Sequence, residues 1–171
     1  MKIALKVATV LTRFNLIFWG FMVCFFLLGF LAVGYLPGVM ILVLLSAIPL
    51  NCYAALKLHQ SIRNPAIPLS QQTPTGIRFV GFIPVFVGVY LSWSGFAMIG
   101  SAGEILHFIK DFDTKEFPEI AQRPEFKSVG VAEVRAAGVI CLILGLSLAV
   151  NVILNLRLLR WYLLLRKNDA S

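Results

Sequence analysis

The stretch SLAVNVILNLR, residues 147–157, sets Ser147, Asn151 and Asn155 four residues apart in an otherwise apolar run that ends at an arginine. Side chains at that spacing lie on one face of an α-helix. If the helix crosses a membrane, Arg157 marks where it leaves the hydrocarbon. At 1.5 Å per residue, Asn155 then sits about 3 Å and Asn151 about 9 Å from that level, in the inner quarter of the span. Asn51, in an earlier apolar run, offers an amide at a similar depth. Such a set could bind a polar ligand or an ion, or it could hydrogen-bond neighbouring helices for about 0.6–2 kcal/mol per contact. Amides bring no charge to a ligand. The expectation is therefore that Asn51, Ser147, Asn151 and Asn155 pack helices.

Little else has the composition of a reaction centre. No Asp, Glu, Lys, Arg or His interrupts the apolar spans, which argues against proton-coupled transport, where an intramembrane titratable group is the usual device. His59 and His107 fall at the inner and outer edges, so a haem held between two histidines inside the bundle is not expected. Cys24, Cys52 and Cys141 stand singly, without the Cys-x-x-Cys pair that thiol–disulfide exchange uses. They read as small buried hydrophobes. The Ser-x-x-Lys, Gly-x-Ser-x-Gly and His-Glu-x-x-His patterns do not occur. His107 and Asp111 share a helix face, yet two side chains fall short of the three or four protein ligands of a zinc site. They read as an acid beside a histidine on a solvated surface. No catalytic residue, cofactor or metal is expected.

The elements that must position these residues follow from charge segregation. Of 171 residues, 59% are hydrophobic and the mean hydropathy is +0.87, more apolar surface than a soluble domain of this length can hide. Residues 14–56, 79–103 and 136–156 contain no Asp, Glu, Lys or Arg. About 20 apolar residues cross a hydrocarbon layer of ~30 Å. The second and third runs thus supply one span each. The first supplies two, divided at Pro37 and Gly38 of GYLPGV. The expected fold is an all-α integral membrane protein, a four-transmembrane-helix bundle in one membrane domain, with helices near 10–36, 39–60, 74–102 and 132–166. An outer loop at 103–131 carries a short amphipathic helix, EILHFIKDF, followed by KEFPEIAQRPEF, where Pro118 and Pro124 predict irregular chain.

Orientation follows from the cations. With both termini inside, Lys2, Lys6, Arg13, Lys57, Arg63, Arg78, Arg157, Arg160, Arg166 and Lys167 share one side with Asp169 alone, and the other acids fall outside. Basic residues are retained on the cytoplasmic side, so both termini are expected in the cytoplasm, in a membrane of the bacterial inner type. The net charge of +7 then serves contact with the lipid bilayer. No basic groove with interleaved aromatics suits nucleic acid. The apolar run at 14–36 exceeds the 7–15 residues of a signal-peptide core, so a retained first helix is expected.

Each span carries its own packing features. Phe14, Phe18, Phe21 and Phe25 form one stripe of the first helix, a candidate hydrophobic-ligand face or a surface for lipid and neighbouring helices. Pro49 and Pro84 predict bends in the second and third helices. Gly81, Gly88 and Gly95 recur every seven residues with Ser92 between the last two, a seam along which backbones can approach closely. The last helix outruns its span, and Arg157, Arg160, Trp161, Tyr162 and Arg166 are expected to anchor it among lipid headgroups.

These features favour a non-enzymatic accessory or structural membrane protein that packs with partner membrane subunits, or with itself, through the glycine seam. The alternative is a binder or carrier of a hydrophobic small molecule, a lipid or quinone, between the phenylalanine stripe and the polar face of the last helix. A third reading is an enzyme at the outer face using His107 and the nearby acids.

Overall fold

The computed structural model describes residues 2–64, 66, 67, 69, 70, 72–116 and 129–169, and among them the regular structure is entirely helical. The order is α1 (Lys2–Val33), α2 (Leu36–Leu45), α3 (Ala47–Arg63), α4 (Gln72–Val80), α5 (Phe82–Gly100), α6 (Ala102–Glu116) and α7 (Val131–Asp169). Four stretches are long and apolar enough to cross a membrane, Ile3–Val33, Leu36–Arg63, Gln72–Gly100 and Val131–Arg166. The chain is compatible with an integral membrane protein.

The first helix begins at Lys2, well before residue 10 where the sequence alone placed it. Its added turns are held by packing. Leu5 and Ala8 lie against Leu58, Ile77, Leu158 and Leu159, while Lys6 and Val7 stay exposed. The helix ends at Gly34, whose φ of +70° lies in the left-handed region that a Cβ disfavours. Tyr35 N–H then donates to Phe30 C=O at 3.0 Å, closing the last turn. Gly34 therefore makes the turn that the sequence reading assigned to Pro37 and Gly38. Pro37 instead falls in the first turn of α2, where its missing N–H leaves no intrahelical bond unmade.

Both expected proline bends are visible as helix breaks. Pro49 cannot donate to Leu45 C=O, and the second span divides at Ser46. Ser46 N–H still donates to Leu42 C=O at 2.9 Å, and Leu50 N–H to Ser46 C=O at 3.2 Å. Pro84 deprives Val80 C=O in the same way, and the third span divides at Gly81. The amphipathic segment forms α6, longer at both ends than the expected 104–112. The irregular chain expected at 115–126 lies outside the described residues from 117 onward, as do Pro65 and Pro68 of the inner connection.

Residues 1–87 with 147–171 form one compact unit and residues 88–146 a second. In the first, the apolar core of Ala8, Leu58, Leu69, Ile77, Leu158 and Leu159 gathers at the end bearing Lys6, Arg63, Arg157 and Arg160. We refer to it as the basic end. Beyond Asn15, α1 contains no buried residue as far as Val33. In the second unit, α5 from Gly88 pairs closely with α7 as far as Leu146.

Candidate functional site: a buried polar network

Next to that core, three helices turn their polar side chains toward one another. Thr12 and Asn15 come from α1, Asn51, Cys52 and His59 from α3, and Asn151 and Asn155 from α7. The six among them with polar N or O atoms are each at most 2% exposed. Buried polar groups at this depth are costly unless hydrogen-bonded, and most of these are. Thr12 Oγ1 donates to Asn151 Oδ1 at 2.7 Å. Asn155 Nδ2 donates to the same Asn151 oxygen at 3.2 Å and to Thr12 Oγ1 at 3.3 Å.

With its amide protons committed in this way, Asn155 presents its oxygen to His59, whose Nε2 lies 2.8 Å away. The imidazole therefore donates from Nε2. On the other side of the ring, Nδ1 lies 3.3 Å from Thr9 Oγ1. Thr9 itself donates to Leu5 C=O at 2.7 Å and accepts from Arg63 Nη2 at 3.1 Å. At the far end, Asn151 Nδ2 points at Cys52 Sγ at 3.7 Å, a weak acceptor. From His59 through Asn155 and Asn151 to Thr12 and Cys52, donors matched to acceptors join α1, α3 and α7.

A second contact lies one turn further along. Asn15 Nδ2 donates to Ser147 Oγ at 3.0 Å and to its own Leu11 C=O at 2.9 Å. Asn51 is directed elsewhere, its Nδ2 donating to Ile77 C=O of α4 at 3.2 Å. The sequence offers Asn51 at a depth similar to the asparagines of the last helix, but its Nδ2 reaches α4 instead. Asn151 and Asn155 instead meet Thr12, His59 and Cys52. His59, placed at the inner edge by the sequence, is buried within the bundle. Asn15 Oδ1, Asn51 Oδ1 and Trp19 Nε1 are buried without a partner among the described residues. Asn15 and Asn51 direct their Nδ2 donors to different neighbours.

Comparison with known proteins finds no matching family model, curated protein or solved structure. The chemistry must be read from the geometry alone. Amides, hydroxyls and one imidazole, turned toward each other, can orient and hold helices. Among the described residues, no three of His, Cys, Asp or Glu come together as metal ligands do.

The small residues of the third span form a second close approach, inside the 88–146 unit. A Cβ on Gly95 would lie 2.5 Å from Gly138 O and 2.6 Å from Leu142 N, both backbone atoms of α7. A Cβ on Gly145 would lie 2.5 Å from Ser92 Oγ and 2.6 Å from Gly88 O. Gly88, Ser92 and Gly95 thus fit the chain's own last helix, where the sequence reading had offered the seam to a partner. Gly81 is separate and belongs to the first unit, where its Cβ position lies 3.1 Å from Asn51 Nδ2.

The phenylalanine stripe faces outward. Phe14 stacks on Phe18 at 5.9 Å and Phe21 on Phe25 at 6.0 Å, with Phe14, Phe21 and Phe25 exposed. Asn151 and Asn155 are turned to the Thr12 face of α1. Arg157 and Trp161 border a recess of about 390 Å³ beside Ala4, Arg160 and Arg166 are exposed, and Tyr162 leans on the apolar core.

His107 Nδ1 and Asp111 Oδ2 lie 3.2 Å apart, with side chains 79% and 58% exposed. Exposed pairs of this kind contribute little. Changing His107→Ala should therefore shift stability by no more than about 0.5 kcal/mol, read as an unchanged melting profile.

The sequence reading missed Thr9, Thr12, Asn15 and Arg63. Their signal was present, since Thr9, Thr12 and Asn15 recur every three residues at the start of the first span, a spacing that shares a helix face.

Proposed function

We propose that this chain is a non-enzymatic structural subunit of a membrane, packing with partner membrane proteins or with further copies of itself. The membrane is of the bacterial inner type, and both termini lie in the cytoplasm, consistent with the cations gathered at the basic end. The observation that carries this reading is the inward commitment of the polar groups. Thr12, His59, Asn151 and Asn155 spend their hydrogen bonds on one another, which suits a scaffold that holds three helices in register.

Contact with a partner would use surfaces other than the glycine seam, which α7 already covers within the 88–146 unit. The exposed apolar residues of α1, among them Ile17, Phe21, Phe25 and Leu28, offer one such surface. Extraction into a mild detergent followed by light scattering tests the proposal. The expected particle contains several 18.9 kDa chains or a stoichiometric second membrane protein. A strictly monomeric chain with nothing co-purifying would overturn it.

A further inference from the structure

We propose that the recess between α1 and α7 at the basic end seats one anionic phospholipid, with its phosphate on Arg157. This inference rests on the chain spanning a membrane and stands apart from the subunit role proposed above.

The recess lies wholly within the unit formed by residues 1–87 and 147–171. Leu154, Arg157, Leu158 and Trp161 line it from α7, and Ala4 lines it from α1. The four α7 positions follow the i, i+3, i+4, i+7 pattern of a single helix face. Leu158 belongs to the apolar core and Leu154 packs against it, so that wall is held in place. Ala4 brings only a methyl group to the opposite wall. The volume is about 390 Å³, toward the lower end of the ~300–1,000 Å³ that small-molecule sites span.

The lining matches the part of a phospholipid where tail meets headgroup. Arg157 stands where α7 leaves the hydrocarbon, with Leu154 about 4.5 Å deeper and Trp161 about 6 Å shallower. Such a recess is apolar below and cationic at the boundary. It favours a lipid over free phosphate, which gains nothing from the leucines. Trp161 adds an apolar ring with an N–H donor, the side chain enriched at this depth of a bilayer.

Charge selects the headgroup. No acidic residue precedes Glu104 in this chain, so α1 to α4 hold no carboxylate. On α7 the acids are Asp169 and Glu133, about 18 Å and 36 Å from Arg157 along the axis. The exposed guanidinium thus has no carboxylate within reach on any of these helices. A lipid phosphate supplies the missing anion through charge-assisted hydrogen bonds. A basic pocket between transmembrane helices on this side of the membrane favours a net negative headgroup over a zwitterionic one.

Native mass spectrometry of the full chain, extracted in mild detergent and offered phosphatidylglycerol or phosphatidylcholine of matched chains, tests the assignment. One phosphatidylglycerol should bind in preference to phosphatidylcholine, whether the chain is monomeric or assembled. Arg157→Ala should reduce that preference about fivefold, the effect of one interfacial cation. Arg157→Lys should keep it, since an ammonium also binds phosphate as a point charge. Arg160→Ala is the control. Arg160 is exposed and outside the lining, so its loss should leave the preference intact. Ala4→Trp should displace lipid of either headgroup, because the indole fills the recess from the α1 wall. Leu154→Trp repeats the readout from α7 should the first variant fold poorly. Equal binding of the two lipids, equal losses in the two arginine-to-alanine variants, or an adduct that survives both tryptophan variants would each overturn the proposal. So would displacement of the lipid by inorganic phosphate at equal concentration.

Discussion

Asn155→Leu is expected to lower stability by about 2–4 kcal/mol, one of the two largest losses anticipated for a single substitution in this chain. The side chain is fully buried and makes three hydrogen bonds, to His59, Asn151 and Thr12. Inter-helix hydrogen bonds in membrane proteins average about 0.6 kcal/mol and reach about 1.7. Their loss alone accounts for roughly half of the expected change. The remainder comes from leaving the His59 Nε2 proton with no acceptor in a dry interior, at about 1–3 kcal/mol.

This division can be tested. Reversible unfolding of the variant in mixed detergent, followed by circular dichroism, should show the loss. Adding His59→Phe should then cost less than it does in the parent, because the orphaned donor is gone. A single variant that unfolds within about 0.5 kcal/mol of the parent would mean that these contacts carry no weight.

Gly95→Leu should be comparably damaging for a different reason. Two effects oppose each other at this position. Residues other than proline favour the helix over glycine, by up to about 1 kcal/mol for alanine. Against that, the new Cβ would stand 2.5 Å from Gly138 O and 2.6 Å from Leu142 N. Backbone atoms cannot rotate aside as a side chain can, so α5 and α7 must separate. Overpacking costs about 1–3 kcal/mol even where side chains can adjust, and sterics win. Gly20→Ala in α1 is the control, since its added methyl meets nothing within 4 Å. Thermal melts should show Gly95→Leu strongly lowered and Gly20→Ala unchanged or raised. Equal behaviour of the two would remove the seam from the account.

Which parts of this arrangement were legible beforehand depended on how local their causes are. Uncharged runs, proline and small residues at regular spacing act through the chain's own neighbourhood, and they located the four long apolar helices and placed bends at Pro49 and Pro84, three residues beyond the breaks at Ser46 and Gly81. The turn at Gly34 was misread because Pro37 and Gly38 carry the louder turn signal, yet proline is also welcome in a first helical turn. Residues 2–9 were left out of the first helix for the opposite reason. Their composition is mixed, and only the distant Leu58, Ile77 and Leu158 make Leu5 and Ala8 worth burying.

The polar network was half visible. The spacing of Ser147, Asn151 and Asn155 gave the face of α7, whereas the identity of its partners required knowing which helix lies opposite. His59 shows the limit most clearly. Beside Lys57 and Arg63 it reads as an interfacial residue, and its burial arises from Thr9 and Asn155, fifty and ninety-six positions away in sequence.

An unbroken α7 from Val131 to Asp169 is about 58 Å long, roughly twice the thickness of the hydrocarbon it would cross. Surplus length of this kind gives tolerance to hydrophobic mismatch. In a thin bilayer such a helix would tilt more or stand prouder of the surface, and in a thick one it would stand more upright or sink by a turn. Arg157, Arg160 and Arg166 would then serve as successive rungs, whichever lay at the phosphates taking the load. Sorting between membranes of different thickness would accordingly be decided by the shorter spans, and not by this helix.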